Sequence, residues 1–185
     1  MTKREFLLER IKAVLKTVAP GAVFTFPFVQ FSTYNAIQTD LKGRVYDKQR
    51  PIEKLDRASL PCVEVITSPS EQDQIRYLDN EMVERTVSVK LWGYVYGGTG
   101  GEMMPNATQA RADLNQLEAD LSIAMEALKW WTDTSSPATS DPLTSLLGAI
   151  DVMHETSWTD TETAQAWSML VMGYRFTYTY NRRKP

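Results

Sequence analysis

The residues able to do chemistry are few in this chain, and their spacing works against it. There is one cysteine, Cys62, and one histidine, His154. A single cysteine excludes an internal disulfide and a cysteine-based metal cluster. The two counts together weaken zinc chemistry and Cys/His catalysis. His154 has Asp151 and Glu155 close by in sequence, but the segment alternates as a strand. Strand neighbours point to opposite faces, so both acids fall on the far side from the imidazole. A Cys/His pair would have to be Cys62 with His154. Otherwise Cys62, after Pro61, reads as a small buried apolar residue. The glycine run Gly97, Gly98, Gly100 and Gly101 is the next candidate. A phosphate cradle needs a lysine and a hydroxyl after its glycines, with a helix starting there. Here Glu102, Met103, Met104 and Pro105 follow, and the acid repels phosphate, so the run reads as a flexible loop. The carboxylate pairs Asp79/Glu81, Asp113/Glu118 and Asp160/Glu162 carry no pocket signal, and their acid–base reading stays at background. No catalytic, cofactor-binding or metal-ligating residue is assigned, and an enzyme is not expected.

What does stand out is aromatic. Trp92, Tyr94 and Tyr96 lead into the glycine run, Trp130 and Trp131 end a helical stripe, and Trp158 and Trp167 bracket the last hairpin. Tyr and Trp are enriched at the centres of interfaces, although most such residues cap a core. The reading for subunit contacts takes Tyr46, Arg50 and Arg57 from a mixed-charge stretch, Trp92, Tyr94 and Tyr96 beside the glycines, and Trp130.

These residues need elements to hold them. Phe6, Leu7, Ile11, Val14, Leu15 and Val18 recur at helical spacing, with Thr2 and Glu5 as a capping box and Pro20-Gly21 as the stop. The basic residues of this helix, Arg10 among them, read as a solvated face. Residues 22–31 read as a strand bent at Pro27, and 61–66 as a short strand. Val83, Val87, Val89, Leu91 and Val95 share one face of a long strand, whose other face passes from polar to aromatic. Leu114, Leu117, Leu121, Ala124, Met125, Leu128 and Trp131 make the stripe of a second helix, with Asn106 as N-cap. The acids Asp113, Glu118 and Asp120 fit its solvent side. Residues 149–156 and 164–181 alternate as a closing hairpin, with 158–162 turn-like.

Between 32 and 60 the periodicity disappears and charges of both signs mix. That segment reads as an extended arm or long hairpin leaving the body, or a long surface loop. The order predicts a single α+β domain over 1–185: a mainly antiparallel sheet with two helices packed on one face, and an arm or loop inserted at 32–60. The length, 185 residues, and a hydrophobic share of 43% suit one core needing no staple. The net charge of −3 excludes a whole-domain basic footprint for nucleic acid. No targeting segment is read, and the apolar stretch at 164–180 is too short and too polar to span a bilayer, so folding in a reducing cytoplasm is expected.

The opening helix before a Val-Phe strand, the Leu60-Pro61 entry into a strand, the strand Arg85–Tyr96 followed by a loop and helix, and the terminal strand Gly173–Asn181 together resemble the tail terminator (tail completion) proteins of long-tailed bacteriophages. The resemblance covers most of the chain outside 32–60. It rests on order and alternation, so no functional residue is carried over. It implies a structural virion protein, assembled in the host cytoplasm, that forms a hexameric ring on the tail tube. Such a ring stops tube polymerisation and offers a docking surface to the neck or head-completion protein for head–tail joining. DNA would pass through its lumen without specific binding, and no membrane or cofactor is implied. The alternatives are a neck or head–tail connector, a tube or baseplate subunit, and a small enzyme or ligand-binding domain using the glycine loop as a lid.

Overall fold

The computed structural model of the chain describes residues 2–26, 33–34, 37–47, 57–67, 74–79, 81–96, 107–132, 141–143, 147, 150–160 and 167–181. Helix α1 (Lys3–Lys16) starts at the expected capping box. The Glu5 amide donates to Thr2 Oγ1 at 3.2 Å, and the Thr2 amide donates to Glu5 Oε2 at 2.6 Å. Bonding to Thr2 holds the Glu5 carboxyl below its usual range. Thr17 caps the other end, and Gly21 turns the chain at φ +81°.

The strands are β1 (Phe24–Thr25), β2 (Thr33–Tyr34), β3 (Val45–Tyr46), β4 (Cys62–Ile66), β5 (Gln74–Tyr77), β6 (Met82–Tyr96), β7 (Ile150–Asp160) and β8 (Trp167–Asn181), with helix α2 (Ala107–Ala127) between β6 and β7. A six-stranded sheet runs β3-β4-β6-β8-β7, and β5 pairs with β6 beside it; β1 and β2 form a separate short ladder. Among the described strands every pair is antiparallel except β3 with β4. The fold is α+β, as the element order predicts. Strands β6 and β8 pair along their whole length, from Met82 opposite Asn181 to Tyr96 opposite Trp167. That register puts Val87, Val89 and Leu91 on the same face as Phe176, Tyr174 and Met172. Helices α1 and α2 close that face, and their apolar stripes complete one main core. Each of Leu114, Leu117 and Leu121, fully buried, contributes about 1.5–3 kcal/mol. Gly93 faces α2. A Cβ there would stand 2.7 Å from Leu117 Cδ2, so the missing side chain is what lets the helix lie close.

Four expectations need correction. The 32–60 segment does not leave the body over 37–47. Ile37, Leu41 and Val45 are buried in the main core, and β3 extends the sheet by pairing with β4. Asp120, expected to be solvated, is buried, and it is what holds this segment: its Oδ2 accepts the amides of Gln38 at 3.1 Å and Thr39 at 2.7 Å. Arg10, also expected in solvent, is buried; its guanidinium donates to the carbonyl of Trp131 at 3.2 Å and to that of Asp141, tying α1 to the end of α2. Residues 158–160 are strand rather than turn. A register shift between His154 and Thr156 absorbs one residue, and β7 then continues along β8 to Asp160. Residues 48–56 of the expected arm, Asn106, the glycine run, and most of the 132–142 loop (133–140) lie outside the described residues.

Candidate subunit interface

The face of the sheet away from the helices is built by the other half of each alternation. Along β6 it carries Glu84, Thr86, Ser88 and Lys90 and then Trp92, Tyr94 and Tyr96. The polar half is knit by contacts such as Thr86 Oγ1 to Thr177 Oγ1 at 3.1 Å, and by Arg175 paired with Glu155 at 2.5 Å. The aromatic half is a continuous row. Tyr46 on β3 is level with Glu64 on β4, Glu64 with Trp92 on β6, Trp92 with Val171 on β8, and Val171 with Trp158 on β7. The next row places Cys62 opposite Tyr94 and Tyr94 opposite Met169.

At the β4 end this face is thick enough to have a small core of its own. Leu60, Cys62 and Tyr94 are buried there, and Tyr46, Trp92, Tyr96 and Met169 pack against them. A 3-10 turn at Arg57–Ser59 and the chain that follows it lead into the cluster. Arg44 fastens that passage, donating from Nε to the Pro61 carbonyl at 2.9 Å and from its terminal nitrogens to Ala58 at 3.2 Å and Asp40 at 3.1 Å. Beneath it the Tyr94 hydroxyl donates to Glu64 Oε2 at 3.4 Å. Burial, and then the Glu64 carboxylate beside it, push that hydroxyl far above the ordinary phenol range. At the β7 end the row is open: Trp158 is 50% exposed.

The structure therefore gathers Tyr46, Trp92, Tyr94 and Tyr96 in one place, from two strands distant in sequence. Tyr94 is the exception in kind, because it is fully buried and supports the surface from below. Trp130 is not part of the group. It lies beyond the end of α2 on the helix side, its ring 6.4 Å from that of Phe26 at 72°. Arg50 and the side chain of Arg57 lie outside the described residues. Val171 joins the row unannounced, and Trp158, singled out among the aromatics but read as part of a turn and left out of the subunit-contact set, joins it too.

Among the described residues, the one cysteine and the one histidine do not come together. Cys62 faces away from the helices on β4, while His154 faces them on β7, stacked on Tyr174 at 5.0 Å, so the two cannot form a pair. Among the described residues no group of three or more His, Cys, Asp or Glu could hold a metal ion. No helix among them is long and apolar enough to cross a membrane. Compared with known proteins, the chain matches no family model and no curated protein.

Proposed function

We propose that this chain is a structural virion protein, a phage tail terminator whose copies form a ring, cap the tail tube, stop its polymerisation and dock to the head or neck. The observation that carries the assembly part is the row from Tyr46 to Trp158 on the face of the sheet away from α1 and α2. The half-exposed Trp158, next to Val171 and in line with Trp92, is the kind of residue enriched at interface centres. Burying it against a neighbour removes apolar surface from water that the chain alone leaves exposed. The tail assignment rests on the resemblance in element order. The net charge of −3 suits a lumen through which DNA slides, since a basic lining would hold the phosphates.

The test is mass by light scattering on the purified chain, alone and with tail tubes of the same phage. Co-migration of a multimer with the tubes supports the reading. A protein that ignores the tubes but binds the neck would make it a head–tail connector instead. One that ignores both would overturn the virion reading.

A further inference from the structure

A cleft of about 310 Å³ opens between the end of α2 and the edge strand β7, on the face of the sheet opposite to the row described above. Ligand pockets span about 300–1,000 Å³, so this one admits a single small group. Four of its residues are aromatic. Phe26, just past β1, and Trp130, just past α2, bring their rings to 6.4 Å at 72°. His154 on β7 and Tyr174 on β8 come from the sheet, stacked at 5.0 Å. The faces of aromatic rings carry partial negative charge and attract cations.

The charged residues point the same way. Glu126, in the last turn of α2, and Lys129, just beyond it, line the cleft. Lys129 is engaged by Asp151 at 3.7 Å, whereas Glu126 makes no ion pair among the described residues. Lys129 and Asp151 cancel, so Glu126 leaves the cleft one negative charge. Its field reaches the wall. Burial pushes the Tyr174 hydroxyl up, Ser122 opposes this, and Glu126 and then Glu118 add to it. Tyr174 is only 3% exposed, and its hydroxyl meets no hydrogen-bond partner among the described residues. Ser122 stands near it without reaching bonding geometry. A buried hydroxyl left without a partner is rare and costs free energy, so it marks a place where a polar group belongs.

These features select among ligands. An anion is repelled by Glu126 and by the ring faces. A neutral apolar group leaves the carboxylate and the hydroxyl unused. A quaternary ammonium suits the rings and the charge but has no N–H to donate, and a primary ammonium is too strongly hydrated for an aromatic wall. A guanidinium is flat enough to stack on rings, weakly hydrated, charged, and rich in N–H donors for a carboxylate. We propose that this cleft is a binding site for a guanidinium group, held by the Glu126 carboxylate against the rings of Trp130, His154 and Tyr174. The site goes beyond the proposed function and does not rest on it.

His154 is the chain's one histidine, so its ring protons report on the site without overlap in a proton NMR spectrum. At fixed pH, N-methylguanidinium is expected to shift them saturably in the millimolar range, and the neutral isostere N-methylurea is not. Glu126→Gln should weaken the binding by about tenfold or more, because it takes the charge out of a charge-assisted bond. Glu9→Gln, at an acid of α1 far from the cleft lining, should not; both acids are exposed, so neither change disturbs the core. Two further probes separate the sources of the group. A capped arginine peptide that binds as tightly as free arginine assigns the cleft to a side chain of a partner protein. Free arginine that binds more tightly than the capped peptide assigns it to a small molecule. A shift that never saturates, an equal response to N-methylurea, or unchanged binding by Glu126→Gln would overturn the site.

Discussion

On one face of the sheet Val87, Leu91, Met172 and Phe176 lie beneath the helices and are buried. On the other, the same strands carry Thr86, Lys90, Thr177 and Arg175 at one end, and Trp92 and Val171 at the other, with Trp158 beside them on β7. The first face is closed within the chain, and its aliphatic side chains interlock with α2 down to the missing Cβ of Gly93. The second has a local core around Tyr94 at one side and an open Trp at the other. The difference separates two uses of apolar surface. Burial inside the chain stabilises the monomer, while apolar surface left half in water becomes stabilising only when another molecule covers it. Substitutions on the two faces should therefore divide between stability and assembly.

The largest effect belongs to the covered face. Phe176→Ala should cost about 3–5 kcal/mol, read as a lower urea midpoint at unchanged slope. Arg10→Ala should cost about 1.5–3 kcal/mol, because two carbonyls lose a charged donor inside the protein; an unchanged midpoint would detach α1 from the end of α2. Gly93→Ala should cost about 1–3 kcal/mol by pushing Leu117 out of place.

Alkaline unfolding offers a further contrast. Burial pushes the Tyr174 hydroxyl up to about 12, with Glu126 and Glu118 adding to it. An unfolded tyrosine ionises near about 10. The folded form keeps its proton where the unfolded form has lost it, so this contribution to stability is whole below pH 10. It falls as the pH rises from about 10 to about 12. Tyr174→Phe should flatten that fall in a pH series of thermal melts. The smallest effect on the monomer is expected at the open end of the row: Trp158→Ser should change stability by no more than about 0.5 kcal/mol, yet weaken association measured by sedimentation. A loss of stability comparable to that of Phe176→Ala would erase the distinction between the faces.

Much of this architecture is legible in the residues themselves. The cap at Thr2, the Leu stripe of α2 and the alternation of β6 and β8 state their elements directly, because each buries one periodic face. Strand β5 is silent for the opposite reason: all four of its residues are exposed, so no burial pattern marks it. The return of 37–47 to the core depends on Ile37, Leu41 and Val45, spaced through an irregular chain, and on the distant Asp120 that bonds its amides. Arg10 reads as a surface cation until the carbonyls of Trp131 and Asp141 are seen around it. The aromatic row was half legible. Tyr46, Trp92 and Tyr96 declare themselves by type, but only strand register places Trp158 beside them.

The most direct test of the central claim is the length of tail tubes polymerised with and without this chain, read by electron microscopy. The account predicts short tubes, each ending in a ring of added density, and restoration of growth by Trp158→Ser. Tubes of unchanged length with bare ends would contradict it.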